Sequence, residues 1–251
     1  MSDFDRNYST ARAGYRTDQV TIDAGLRAYM IRVYNYMAAG VALTGLVAWF
    51  TFSAAVTNAG GSLQLTSFGH AIFQSPLMWV FVLAPLGLVM LLSFGINRLS
   101  AGTALVLFFV YSGLLGLSLA SIFLVYTQQS ITQVFFISAA TFGAMSLYGY
   151  TTQRDLTGVG SFMFMGLIGI VIASLVNIFL QSSGLGWAIS VIGVLVFVGL
   201  TAYDTQRIKE MYNVNDDGTV AGRKAVMGAL SLYLDFINLF LMLLRIFGDR
   251  R

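Results

Sequence analysis

Four ionisable side chains fall inside or at the ends of long apolar stretches: Arg98 in SFGINRLS, Asp204 in TAYDTQRIK, and Asp235 and Arg245 in SLYLDFINLFLMLLRIF. A charged side chain in an apolar span costs about 2.5–3.5 kcal/mol on insertion scales, so it needs a partner or a water-filled cavity. Two carboxyl groups sharing a low-dielectric site cannot both ionise easily; they titrate in coupled steps and can hold one proton between them. With Arg98 as the cation that engages the ionised form, Asp204, Asp235 and Arg98 would make a proton-operated latch, a pH sensor and gate. When both carboxylates are ionised, Asp204 and Asp235 are hard ligands able to hold Ca²⁺ in passing. Two side chains fall short of the roughly six to eight oxygens of a tight calcium site, so Ca²⁺ is expected as a permeant ion and no resident cofactor is expected.

The neighbours of Asp235 support an inward-facing polar stripe. At about 100° per residue, Ser231, Asp235, Asn238 and Arg245 fall within about a third of the helix circumference, and the other faces are Leu, Phe, Ile and Met. Such a helix lines a cavity or sits at the centre of a bundle. Ser231 and Asn238 are therefore pore-lining or supporting candidates, and Thr201, one turn before Asp204, is placed to hydrogen-bond near it. Asp204 also reads as an interfacial ion pair with Arg207 or Lys209, whereas Asp235 lies deeper and has no adjacent cation. Asn177 reads as a helix-to-helix hydrogen bond and His70 as a solvated loop residue. The pair of aspartates also admits an intramembrane aspartyl protease, a chemistry that needs two carboxyls sharing a proton. Such enzymes carry Gly-x-Gly-Asp at the second aspartate, and here Leu232, Tyr233 and Leu234 precede Asp235.

The elements that must position these groups follow from composition. The chain has 251 residues, 57% of them hydrophobic and 10% charged, with 26 glycines and a mean hydropathy of +0.77, a balance that fits a polytopic membrane protein. There is no cysteine and His70 is the only histidine, which excludes disulfides, thiolate chemistry and Cys/His zinc sites. Seven stretches approach the roughly 20 apolar residues that a crossing helix needs. They run over 35–56, 77–97, 103–125, 131–150, 160–180, 187–207 and 228–247. The fold class predicted is thus all-α integral membrane, with residues 34–251 as the transmembrane domain. The small residues Gly113, Gly116, Ala120, Gly143 and Ser146 predict close helix packing in the third and fourth spans.

Orientation comes from lysine and arginine. Eleven of them flank the spans on the amino-terminal side, from Arg6 to Lys224, and the three alternate loops hold none, which predicts a cytoplasmic amino terminus. The net charge of +3 is thereby a topology signal, and no nucleic-acid partner is expected. Trp49, Trp79 and Trp187 fall at the outer ends of their spans as an aromatic belt. Arg250 and Arg251 break the rule if the seventh span crosses fully, so either it stops short or these charges are outvoted. The first 33 residues read as a cytoplasmic segment without signal-peptide character. Within it Ile22, Leu26, Tyr29, Met30 and Val33 recur at helical spacing, as in an interfacial amphipathic helix or a plain lead-in turn.

AYDTQRIKEMY (202–212) and ALSLYLDFINLFLMLLRIFG (229–248) resemble the two carboxy-terminal signatures of the Bax inhibitor-1 family in its bacterial branch, and the seven-span layout extends the resemblance beyond residue 30. The resemblance implies a last helix held centrally between two antiparallel three-helix layers. It further implies a pH-sensitive calcium leak with a di-aspartyl sensor at the cytoplasmic mouth, matching Asp204 and Asp235, and an engaging arginine matching Arg98. Gly87 stands where some members carry a glutamate, which weakens a cation path that relies on that acid. The resemblance also admits a non-enzymatic regulator that binds a membrane quality-control protease or another membrane protein. Placement in a bacterial inner membrane is implied; the oligomeric state stays open, and a monomer is compatible with these features.

Overall fold

The computed structural model describes residues 3–59 and 62–251, and side-chain surroundings for 24–57 and 63–251. Helix α1 (Asp3–Ala55) runs unbroken through the first span and is followed by a hairpin of β1 (Val56–Ala59) and β2 (Ser62–Leu65), antiparallel with Val56 opposite Leu65. Helix α2 (Ser67–Phe73) is short and is capped by the Thr66 hydroxyl, which accepts from the Gly69 N–H. Helix α3 (Leu77–Gly95) ends in one 3₁₀ turn over Ile96–Arg98. Next come α4 (Ala101–Leu119), the single turn α5 (Ile122–Val125), α6 (Gln128–Thr151), α7 (Thr157–Leu180), α8 (Ser183–Glu210) and α9 (Gly218–Phe247). Ser100, Thr127, Ser182 and Asp217 cap α4, α6, α8 and α9 by accepting a backbone N–H of the first turn.

Seven of these segments are long and apolar enough to cross a bilayer: Ala24–Ala55, Leu77–Arg98, Ala101–Val125, Gln128–Thr151, Thr157–Leu180, Ser183–Glu210 and Gly218–Phe247. Each contains one predicted span, and the protein is an all-α integral membrane protein. The last helix starts ten residues earlier than hydropathy indicates, since 218 precedes 228 by that number. Arg223 and Lys224 depress the local hydropathy, but each ends on a carbonyl of a neighbouring segment, so the helix continues through them.

Helix α9 is the centre. In its most apolar stretch 61% of residues are buried, against 6% in α7. It packs against α1 and α4 on one side and α6 and α8 on the other; α3 joins the first layer through α4, and α7 joins the second through α8. Tyr233, with no exposed surface, ties three helices together: its hydroxyl and the Thr44 hydroxyl are 2.6 Å apart, and Thr44 donates to the Ser112 carbonyl. A Cβ on Gly116 would lie 2.7 Å from the Thr44 carbonyl oxygen, so that glycine admits a close α1–α4 approach, whereas Gly113 and Gly143 face open space. The helix faces turned away from this core carry exposed Phe94, Phe162, Phe179 and their like, an apolar surface suited to lipid.

The stripe ahead of the first span turns inward. Tyr29, Met30 and Val33 are buried in the core and Leu26 packs against it, so these residues seal the bundle rather than lie in a membrane interface; the side chain of Ile22 is outside the described residues. The seventh span runs the full length of the bundle. Beyond its last turn the Thr127 N–H donates to the Asp249 carbonyl, the Arg251 N–H donates to the Val125 carbonyl, and Tyr126 and Arg250 form an antiparallel bridge. The loop between the third and fourth spans thus holds residues 249–251 at the end of the bundle opposite Arg98 and Arg154. Tight approach makes this possible, since a Cβ on Gly248 would meet the Tyr126 ring at 2.6 Å.

Candidate functional site

Helices α8 and α9 are joined by residues 211–217 and lie against each other along their length, which brings their acidic positions to one depth. Asp235 is buried at 5% exposure and Asp204 is half-buried. The two carboxyl groups line the same cleft, and a hydrogen bond between two carboxyls would require a proton on one of them. Oδ2 of Asp235 has no hydrogen-bond partner among the described residues. Both acids open onto a cleft of about 540 Å³ whose wall also includes Tyr203, Arg207, Ser231 and Asn238. The expected stripe on α9 is therefore real over Ser231, Asp235 and Asn238. Asn238 is held by donating its side-chain amide to the Leu234 carbonyl one turn back.

Two expected members lie elsewhere. Arg98 closes the 3₁₀ turn after α3, is exposed, and lines neither this cleft nor the one next to it. The tighter turn rotates its side chain away from the direction a continuing α-helix would give it. The cation that shares the cleft wall with Asp204 is Arg207, three residues on in the same helix. Thr201 is fully buried, donates to the Phe197 carbonyl and does not reach the carboxyl pair; it braces α8 from behind. Arg245 shares the stripe by angle but sits at the opposite end of the bundle. Asn177 accepts from the Ser182 N–H and closes the α7–α8 turn instead of bonding across helices, and His70 pairs with Gln74 on the exposed α2. Gly87 is exposed and lines neither cleft.

A second cleft of about 400 Å³ adjoins the first through Asp204, Arg207 and Ser231, and it contains Asn97, Arg223 and Lys224. Arg223 donates to the Asn97 carbonyl at 2.7 Å, and Lys224 donates to the Met211 carbonyl and pairs with Asp216. These cations count in the sequence only as flanking charge; their separation by one turn or less on a helix facing the mouth was the available signal.

The stretch AYDTQRIK has a structural task at nearly every position. A Cβ on Gly149 would stand 2.1 Å from the Ala202 carbonyl oxygen, and one on Gly160 would stand 2.4 Å from the Tyr203 ring, so α6 and α7 approach α8 as only glycine permits. Thr205 and Ser146 hydroxyls are 2.9 Å apart, and Ser146 is in turn 2.6 Å from the Tyr34 hydroxyl, linking α8, α6 and α1. Gln206 accepts from the Leu156 N–H and donates to the Arg154 carbonyl, both at 2.8 Å, clamping the α6–α7 loop. Lys209 donates to the Tyr150 carbonyl and lies over that ring at 5.4 Å.

Chemically, the cleft can hold and exchange a proton, and with both acids ionised it offers carboxylate oxygens to a passing cation. Among the described residues no group of three or more His, Cys, Asp or Glu could hold a metal, so any ion there keeps most of its water.

Residues 26–251 match the family described as Inhibitor of apoptosis-promoting Bax1. Similar proteins include Inner membrane protein YbhL of Escherichia coli K12, 53% identical over 230 residues that cover 91% of this chain and 94% of the relative. A protein of Rickettsia prowazekii, RP147, is 49% identical with 92% and 93% covered. The membrane protein M6_Spy0327 of Streptococcus pyogenes is 40% identical with 90% and 94% covered.

Proposed function

This multi-pass membrane protein belongs to the Bax inhibitor family, and from that premise we propose that it is a pH-sensitive calcium (cation) leak channel gated by the Asp204–Asp235 pair. The observation that carries the reading is that both carboxyl groups line one cleft, with Oδ2 of Asp235 buried and unpartnered among the described residues. A buried oxygen without a donor costs about 1–3 kcal/mol, a cost that a purely structural acid has no reason to retain. With one proton shared, the pair bridges α8 and α9 and the mouth is closed. When that proton leaves, two like charges face each other in a poorly solvated site, and either the helices separate or a cation enters between them. Arg207 stands beside Asp204 to steady its ionised form, the task expected of Arg98. Ser231 and Asn238 continue the polar wall from the pair.

The reading includes a place and an orientation: a bacterial inner membrane with the amino terminus in the cytoplasm, supported by the eleven flanking cations and by the printed name of the Escherichia coli relative. The test is Ca²⁺ flux from proteoliposomes stepped through pH. Wild type changes flux with pH, whereas Asp204→Asn and Asp235→Asn each abolish that dependence; an unchanged pH response in both variants rejects the gate.

One observation favours a second reading. Arg207, Arg223 and Lys224 make the adjoining cleft cationic, which repels a permeant cation and suits an acidic segment of another membrane protein. On this reading the protein is a non-enzymatic regulator, for instance of a quality-control protease. Co-purification of such a partner that survives Asp235→Asn but is lost in Arg223→Glu supports it.

A further inference from the structure

A third cleft, of about 720 Å³, lies at the far end of the bundle, beside the turn between α7 and α8 and the end of α9. Arg245 and Arg250 both line it, no carboxylate does, and neither arginine forms an ion pair among the described residues. Arg250 is held by the backbone, through its bridge to Tyr126 and the flanking bond from the Thr127 N–H to the Asp249 carbonyl. Asn177 Oδ1 accepts from the Ser182 N–H, which leaves its side-chain NH₂ as a donor on the cleft wall. The first N–H groups of α8, those of Ser183 and Gly184, also reach this wall and have no partner among the described residues, because the Ser182 cap takes the Leu185 N–H. Trp187, 63% exposed, stands at the rim.

Two guanidinium groups, a free amide NH₂ and a 28-residue helix beginning at the same place form a donor set with no acidic side chain among the described residues of its wall. That is the chemistry of a phosphate oxygen cluster: guanidinium binds it bidentately, and the helix start adds unpaired N–H groups and the positive end of the dipole. An exposed tryptophan marks the depth at which lipid headgroups sit. We propose that this cleft binds the phosphate of an anionic phospholipid headgroup, in the outer leaflet under the orientation given above. The site is independent of the carboxylate pair. It also accounts for Arg250, one of the two cations that break the lysine and arginine asymmetry: its charge, with that of Arg245, is neutralised by lipid.

The experiment is thermal unfolding and native mass spectrometry of the purified full chain in mild detergent, titrated with phosphatidylglycerol, with diacylglycerol of the same chains, and with sn-glycerol 3-phosphate. Phosphatidylglycerol raises the unfolding temperature and is retained by wild type and by Arg154→Gln, an exposed cation outside the cleft. The double variant Arg245→Gln/Arg250→Gln binds it about tenfold more weakly or worse. Asn177→Asp keeps the acceptor for the Ser182 N–H while replacing the donor with a charge; it loses affinity in the same way and guards against a double variant that fails to fold. Equal retention in wild type and both variants overturns the site. An equal effect of diacylglycerol overturns phosphate recognition, and an equal effect of glycerol phosphate overturns the lipid as the source.

Discussion

Gln206 and Asp235 are both buried polar residues in a membrane bundle, and they differ in how far their bonding capacity is met. Gln206 uses its acceptor and a donor on one loop, so its removal leaves the Leu156 N–H and the Arg154 carbonyl unpaired. We expect Gln206→Ala to lower stability by about 1–3 kcal/mol in detergent unfolding while the pH response of ion flux stays as in wild type. Asp235→Asn should do the reverse, removing the pH response with little loss of stability. A second acid has a separate pH signature. Asp155, in the α6–α7 loop, accepts from the Thr157 side chain and N–H, which hold its carboxyl below the ordinary aspartate range. A depressed folded-state value contributes stability above the unfolded pKa that is lost as pH falls through the folded one. Because Asp155 is fully exposed the effect is small, and Asp155→Asn should remove a shallow acid-side decline in unfolding temperature. That the two aspartates share one cleft was legible in the sequence, because a carboxylate is so costly in an apolar span that two of them at one depth are expected on one polar wall. Arg207 was legible only as one of two cations, with Lys209, near Asp204 at the helix end, because a cation there looks like any membrane flank.

Glycines on a single helix are not equivalent. Gly143 and Gly149 are six residues apart on α6 and read alike in the sequence, yet only Gly149 lies against the α8 backbone. Gly149→Ala should cost about 1–3 kcal/mol by forcing α6 and α8 apart, whereas Gly143→Ala should leave stability unchanged or slightly raised. The same contrast separates Gly116 from Gly113 on α4. Helix existence and order were legible because a 20-residue apolar run has one solution in a bilayer. Helix ends were not: the start of α9 depends on Arg223 and Lys224 finding carbonyls on other segments, and the hairpin Val56–Leu65 depends on pairing that hydropathy does not register.

For the whole molecule, the arrangement of layers followed from the family resemblance more than from periodicity, since each span taken alone is apolar nearly all round. The orientation can be tested directly because the chain has no cysteine. With an impermeant thiol reagent added outside intact cells, His70→Cys on α2 should label and Asn215→Cys in the α8–α9 linker should not; the opposite pattern inverts the topology. Helix α9 carries a further consequence for how the protein is made. It is the most enclosed of the seven, it carries Asp235 and Asn238 along its middle, and it leaves the ribosome after the other six. The earlier helices must therefore wait in the membrane around an unfilled slot. A helix poorly suited to leave the translocon into lipid instead passes into a protein-lined gap, where the Thr44 hydroxyl already meets that of Tyr233. Assembly then closes in one late step, and variants that narrow the slot should be degraded as six-helix intermediates before they have a chance to conduct.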